Sequence, residues 1–184
     1  HRKALSEDEL PELAIDKKNV ANETHSVMDL SSKPVSSMKL EFNGVSHAVD
    51  VLTGPSATVL KKLSKMGVKQ TSHLLEKAYD LESIIVMAEK LGEEPWNVRS
   101  WVSSADLLRI KGLTPVNAEL LEFAGVGRVQ ELQRANLKKL VASMRVINRH
   151  VNKTSGLPDL EEVTHWVSLA GKLGPAVSAN IDQI

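Results

Sequence analysis

From about residue 45 onward, apolar positions recur at three- and four-residue steps in short blocks. Gly, Pro, Ser, Asp and Asn separate the blocks. That spacing puts the apolar side chains on one face of a helix, so the chain reads as all-α. Asp80 and Asn136 are natural N-caps for helices over 81–91 and 137–150, the first stopping at Gly92. Glu94-Pro95 and Pro158-Asp159 open two further helices, each carrying a tryptophan. Residues 1–44 lack sustained helical periodicity and hold turn-prone pieces such as Ser31-Ser32-Lys33-Pro34, which predicts an extended arm. Within it, 38–42 alternates apolar and polar as a short strand would. That strand has no partner in the sequence, so it is expected to lie against the body or a neighbour.

The chain also resembles itself. Leu52-Thr53-Gly54-Pro55-Ser56 lies over Ile110-Lys111-Gly112-Leu113-Thr114, and with the same spacing Leu63 meets Leu121, Gly67-Val68 meets Gly125-Val126, and Leu74 meets Leu132. Further along, Asp80-Leu81 falls on Asn136-Leu137, and Val98, Trp101, Val102 and Ser103 fall on Val163, Trp166, Val167 and Ser168. Matches in two registers predict a duplicated unit of about five short helices. Each matched position has a structural task. Gly54 and Gly112 turn the chain where φ is positive, Ser56 and Thr114 cap the next helix, and Gly67 and Gly125 stop it. Ser104 is expected to cap a helix through Ile110, and the Trp101 helix to run into it without a linker. The boundaries that follow are an arm over 1–44, units over 45–103 and 104–174, and a tail over 175–184.

Composition narrows the chemistry. There is no cysteine, which removes disulfides, thiolate metal sites and cysteine nucleophiles. Lys+Arg and Asp+Glu are both 23, so the basic footprint expected of a phosphate-binding surface is missing from the chain as a whole. No apolar run approaches the ~18 residues of a membrane span. The chain opens His1-Arg2-Lys3 rather than with Met, as after processing or at a boundary. An intracellular compartment is expected, an organelle among the options.

The string Leu107-Leu108-Arg109-Ile110-Lys111-Gly112-Leu113-Thr114-Pro115-Val116-Asn117-Ala118 resembles a helix-hairpin-helix motif through Gly112 and Ala118, with Thr114 where the second glycine normally stands. Together with Phe123-Ala124-Gly125-Val126 and Leu157-Pro158-Asp159-Leu160, it is similar to a tandem helix-hairpin-helix family of unknown function, over about 45–174. That resemblance implies two such units packed as a pseudo-symmetric pair. It also implies a possible use, since hairpins of this kind hold nucleic-acid backbone on bare N–H groups and a helix N-terminus. The residues concerned here are Lys111, Gly112, Leu113 and Thr114, with Arg109 and Arg128 nearby. At the first hairpin, Pro55 removes a backbone donor.

Other features favour a protein partner. Lys61, Lys62, Lys65 and Lys69 form a basic stretch that the second unit replaces with Glu119 and Glu122. Trp101 and Trp166 occupy equivalent places and read as core. Trp96, opposite Glu161, reads as a surface anchor. The six histidines make no two-ligand pair at helical spacing, so no metal or other cofactor is expected. No phosphate-cradling glycine loop or nucleophile turn is found, and the acidic pairs Glu93-Glu94 and Glu161-Glu162 fall at helix starts, where they suit the helix dipole. The expectation is a non-enzymatic, scaffolding or accessory subunit bound to a protein partner. Nucleic-acid backbone binding through residues 111–114 is the alternative.

Overall fold

A computed structural model of the protein describes residues 42–184, and among them it is all-helical. Eight α-helices follow in order: α1 (Ala57–Lys65), α2 (Thr71–Lys77), α3 (Leu81–Leu91), α4 (Pro95–Leu107), α5 (Pro115–Phe123), α6 (Val129–Arg134), α7 (Leu137–Val151) and α8 (Leu160–Ala170). Short 3-10 turns over Val49–Val51 and Ala179–Gln183 flank them. Residues 38–41 of the expected strand lie outside the described residues.

The helix boundaries follow from local chemistry. The side chains of Ser56, Asp80, Thr114, Asn136 and Asp159 each accept the backbone N–H three residues on, closing the first turns of α1, α3, α5, α7 and α8. At α3 the pairing is reciprocal, because the Ser83 hydroxyl also accepts the Asp80 N–H. Gly67, Gly92 and Gly125 leave α1, α3 and α5 with φ of +80°, +69° and +83°, a region that side-chain-bearing residues enter at a cost.

α4 is the spine. It packs on α2 and α3 on one side and on α5 on the other, while α5 meets α7, and α8 meets both α6 and α7. Residues 101–107 are buried without a break, around the whole circumference of the helix. A helix covered on all sides needs no amphipathic stripe. Its small residues Ser103, Ser104 and Ala105 let neighbours approach closely. Ser104 therefore does not cap a helix as the sequence suggested; it sits inside α4 because tertiary burial overrides its capping preference. Leu63, Leu74, Ile84 and Leu91 fill the space on one side of α4, and Leu120, Leu121, Leu132 and Trp166 the space on the other.

Both ends of the described chain are part of this body. Before α1, Val45 N–H bonds to the Arg109 carbonyl at 3.0 Å, and an isolated antiparallel bridge joins Ala48 to Gln70. Gly44, at φ +108°, lies so close to Arg109 that a Cβ there would stand 2.7 Å from the Arg109 carbonyl oxygen. Toward the C-terminus, residues 176–181 lie on the body as a strap. Ala176, Val177 and Ile181 are buried, Ser178 N–H bonds to the Tyr79 carbonyl at 2.7 Å, and the Asn180 side chain accepts from Leu81 N–H at 3.3 Å.

Candidate functional site

The hairpin between α4 and α5 begins where α4 ends and Gly112, at φ +88°, reverses the chain. Lys111 and Gly112 are exposed, and a Cβ on Gly112 would meet nothing within 4 Å. Leu113 points inward and is buried, which fixes the hairpin on the body. Thr114 is exposed, but its hydroxyl accepts the Asn117 N–H at 3.3 Å and is used as the helix cap.

The two arginines assigned to this hairpin are employed elsewhere. Arg109 is only 1% exposed. Its Nη1 donates to Asp106 Oδ1 at 2.5 Å, its Nε to the Asn43 carbonyl at 2.8 Å, and its Nη2 to Asn43 Oδ1 and the Gly174 carbonyl at 2.5 and 2.8 Å. The Phe42 ring lies 5.8 Å from the guanidinium carbon, completing the enclosure. Arg109 is thus a structural cation inside the body, and a phosphate could reach it only by dismantling this cage. Burial pushes the Asp106 carboxyl upward, while Arg109 and the Val129 N–H that it accepts at 2.8 Å pull the other way.

Arg128 precedes α6 and lies in a chain of charges. Its guanidinium bonds to Glu131 and, at 2.6 Å, to Asp182 Oδ2 on the strap. Asp182 Oδ1 accepts from Arg99 Nη2 of α4 at 2.8 Å, and Arg99 Nη1 stands 3.5 Å from Glu122 Oε1 of α5. Ser100 Oγ donates to Glu122 Oε2 at 2.9 Å. Three carboxylates thus share two guanidiniums. Burial holds Glu122 above its ordinary carboxylate range; Ser100 and Arg99 lower it, and the neighbouring charges of Glu119 and Asp182 raise it further. Sequence reading missed this chain because its members come from α4, α5, α6 and the strap.

The remaining sequence candidates lie on the outer surface. Lys61, Lys62, Lys65 and Lys69 are all exposed, and Lys62 Nζ donates to the Leu91 carbonyl at the end of α3 at 2.5 Å. Trp96, in the first turn of α4, is 61% exposed, whereas Trp101 and Trp166 are buried. Phe123, the last residue of α5, is also exposed. A groove of about 560 Å³ runs beside α3, lined by Met66, Val86 and Met87 together with the charged side chains of Lys77, Asp80, Glu82 and Lys90.

Among the described residues, no helix is long and apolar enough to cross a membrane, and no three His, Asp or Glu side chains are grouped so as to hold a metal ion. No curated protein and no solved structure matches the chain. A family model described as a domain of unknown function (DUF4332) matches residues 54–173. The match spans more than half of the chain, and the protein belongs to that family.

Proposed function

We propose that this protein is a non-catalytic protein-interaction module, an accessory or scaffolding subunit of a larger assembly. The observation that carries this reading is where the charge goes. The arginines of the would-be phosphate hairpin are bound internally, whereas Trp96 is 61% exposed and Lys61, Lys65 and Lys69 are exposed with no ion pair among the described residues. A large exposed aromatic on a rigid helix end suits the anchor of a protein interface. Within this reading the body consists of two helix-hairpin-helix-like units, over 45–103 and 104–174. Positive φ at Gly54 and Gly112, and again at Gly67 and Gly125, supports it, as does capping by Ser56 and Thr114. The test is gentle purification of the full chain from its native source with cross-linking. A stoichiometric protein partner, lost with Trp96→Ala or on deletion of residues 1–41, which spares Phe42 and Asn43 around Arg109, is the expected result. A monomer recovered alone overturns the reading.

A second reading, binding of nucleic-acid backbone through residues 111–114, draws on the exposure of Lys111 and the open space at Gly112. Lys111→Glu is its informative variant, because Arg128→Glu would set three acidic groups against one another at Asp182 and Glu131. A duplex that shifts at low salt and fails to do so with Lys111→Glu supports it.

A further inference from the structure

Asn43-Gly44 is the one Asn-Gly pair in the sequence; every other asparagine precedes a residue that carries a side chain. The difference is chemical. The amide carbon of an asparagine side chain can be attacked by the backbone nitrogen of the next residue, closing a five-membered ring, and a Cβ on that next residue hinders the approach. At position 44 the fold requires the glycine. Its φ is +108°, and a Cβ there would stand 2.7 Å from the Arg109 carbonyl oxygen and 2.9 Å from the Arg109 Cβ. Asn43 and Gly44 are both exposed, so water reaches them, and the Gly44 N–H makes no hydrogen bond among the described residues.

The same pair is gripped by the residue just past α4. Arg109 Nε donates to the Asn43 carbonyl at 2.8 Å and Nη2 to its Oδ1 at 2.5 Å, so one edge of the planar guanidinium holds both oxygens side by side. Val45 N–H, one residue past the glycine, donates to the Arg109 carbonyl at 3.0 Å. In the closed ring the two oxygens diverge on either side of the Gly44 nitrogen, too far apart for the fixed fork of one guanidinium edge. Ring closure therefore requires Asn43 to leave Arg109 first. That local opening sets the pace of the chemistry in the folded chain.

We propose that Asn43 is a site of spontaneous deamidation, protected while Arg109 grips it and, once converted to isoaspartate, unable to return to that grip. The Gly44 nitrogen gives its proton to hydroxide and bonds to Asn43 Cγ, and the side-chain amide nitrogen leaves as ammonia. Water then opens the ring. Opening at Cγ breaks the new bond and leaves aspartate, whose carboxylate can still accept from Arg109. Opening at the main-chain carbonyl breaks the original peptide bond and leaves isoaspartate, with the chain routed through Cγ and longer by one methylene. Gly44 already touches Arg109 and Val45 is bonded to it, so the longer backbone has no room in this register. One product restores the contact, and the other releases residues 43–45 from Arg109 for good. The proposal does not depend on the interaction-module reading.

The experiment incubates the full chain in mildly alkaline buffer, once native and once in urea, and follows each asparagine by digestion and mass spectrometry. In urea the Asn43 peptide is expected to gain the mass of an amide-to-acid exchange at least tenfold faster than any other asparagine peptide. In the native chain the same conversion is expected to be at least tenfold slower than in urea. Arg109→Lys keeps a cation beside Asp106 but has no guanidinium edge, and it should convert faster than wild type while the amides of α4 stay protected. Asn43→Gln, whose longer side chain cannot close the five-membered ring, is the control and should not gain mass at that position. The isoaspartate form of the wild type, separated by chromatography, should exchange its Val45 amide at least tenfold faster than the unmodified chain, again with α4 protected. That readout needs no substitution, so it decides the matter even if Arg109→Lys fails to fold. No conversion of Asn43 in urea, native conversion as fast as in urea, a folded Arg109→Lys converting at the wild-type rate, or an isoaspartate form with Val45 still protected each overturns the proposal.

Discussion

Asp106 and Arg109, one turn apart at the end of α4, share a 2.5 Å bond with no side-chain surface left to solvent. Through them four parts of the chain meet. Asp106 accepts the Val129 N–H at the start of α6, and Arg109 holds Asn43 before the first helix and Gly174 after the last. A buried ion pair seldom adds net stability, yet removing one member leaves an uncompensated charge in the interior.

Arg109→Met is accordingly expected to cost about 3–5 kcal/mol. The Asp106→Asn, Arg109→Met double variant is expected to cost less than Arg109→Met alone, because the amide oxygen can still accept the Val129 N–H and no charge is stranded. Urea unfolding followed by circular dichroism checks both. A double variant as unstable as the sum of its single variants would show that the charges act independently.

Two hairpin glycines predict different costs. A Cβ on Gly54 would stand 2.9 Å from Trp101 Nε1, and φ is +109°; Gly112 has φ +88° but open space around it. Gly112→Ala should cost only the backbone strain, roughly 1–2 kcal/mol. Gly54→Ala should cost more and shift the emission of Trp101. Equal midpoints for the two variants would contradict the packing described at Trp101.

Glu122 gives a pH dependence. Its folded-state proton affinity is raised by burial, so it binds a proton more tightly folded than unfolded. Its stabilising contribution is full below the ordinary glutamate range and is lost as pH rises through the raised folded value. Relative to Glu122→Gln, which cannot titrate, the wild type should lose stability from mildly acid pH toward neutrality and then level off. Chemical denaturation of both proteins across that window gives the difference directly.

The strap separates packing from charge. Ile181 is fully buried, so Ile181→Ala should cost about 2–5 kcal/mol. Asp182 is 39% exposed in its side chain, so Asp182→Asn should cost at most about 1 kcal/mol despite its two arginine partners. Thermal unfolding of the two variants should rank them in that order.

Much of the helical layout was legible because it is written locally. Asp80, Thr114 and Asn136 cap the helices that their side-chain chemistry predicts, and Gly92 ends α3 in the left-handed conformation expected of it. The burial of Arg109 was not legible, because a cation three residues before a hairpin glycine looks the same in sequence whether it points to solvent or into the body. Asn43, Gly174 and Asp106 decide the matter, and two of these are more than sixty residues away. Val86 and Met87 are neighbouring apolar residues on α3, yet Val86 is exposed and Met87 buried, a difference that only the packing of the surrounding helices decides.

The strap also sets an order of events during synthesis. Residues 176–181 complete the core against Tyr79 and Leu81, which leave the ribosome about a hundred residues earlier, or roughly 5–20 s at ordinary elongation rates. Until then the apolar seat of Ile181 stays open, and a nascent chain stalled before residue 176 should be a better chaperone client than the finished body.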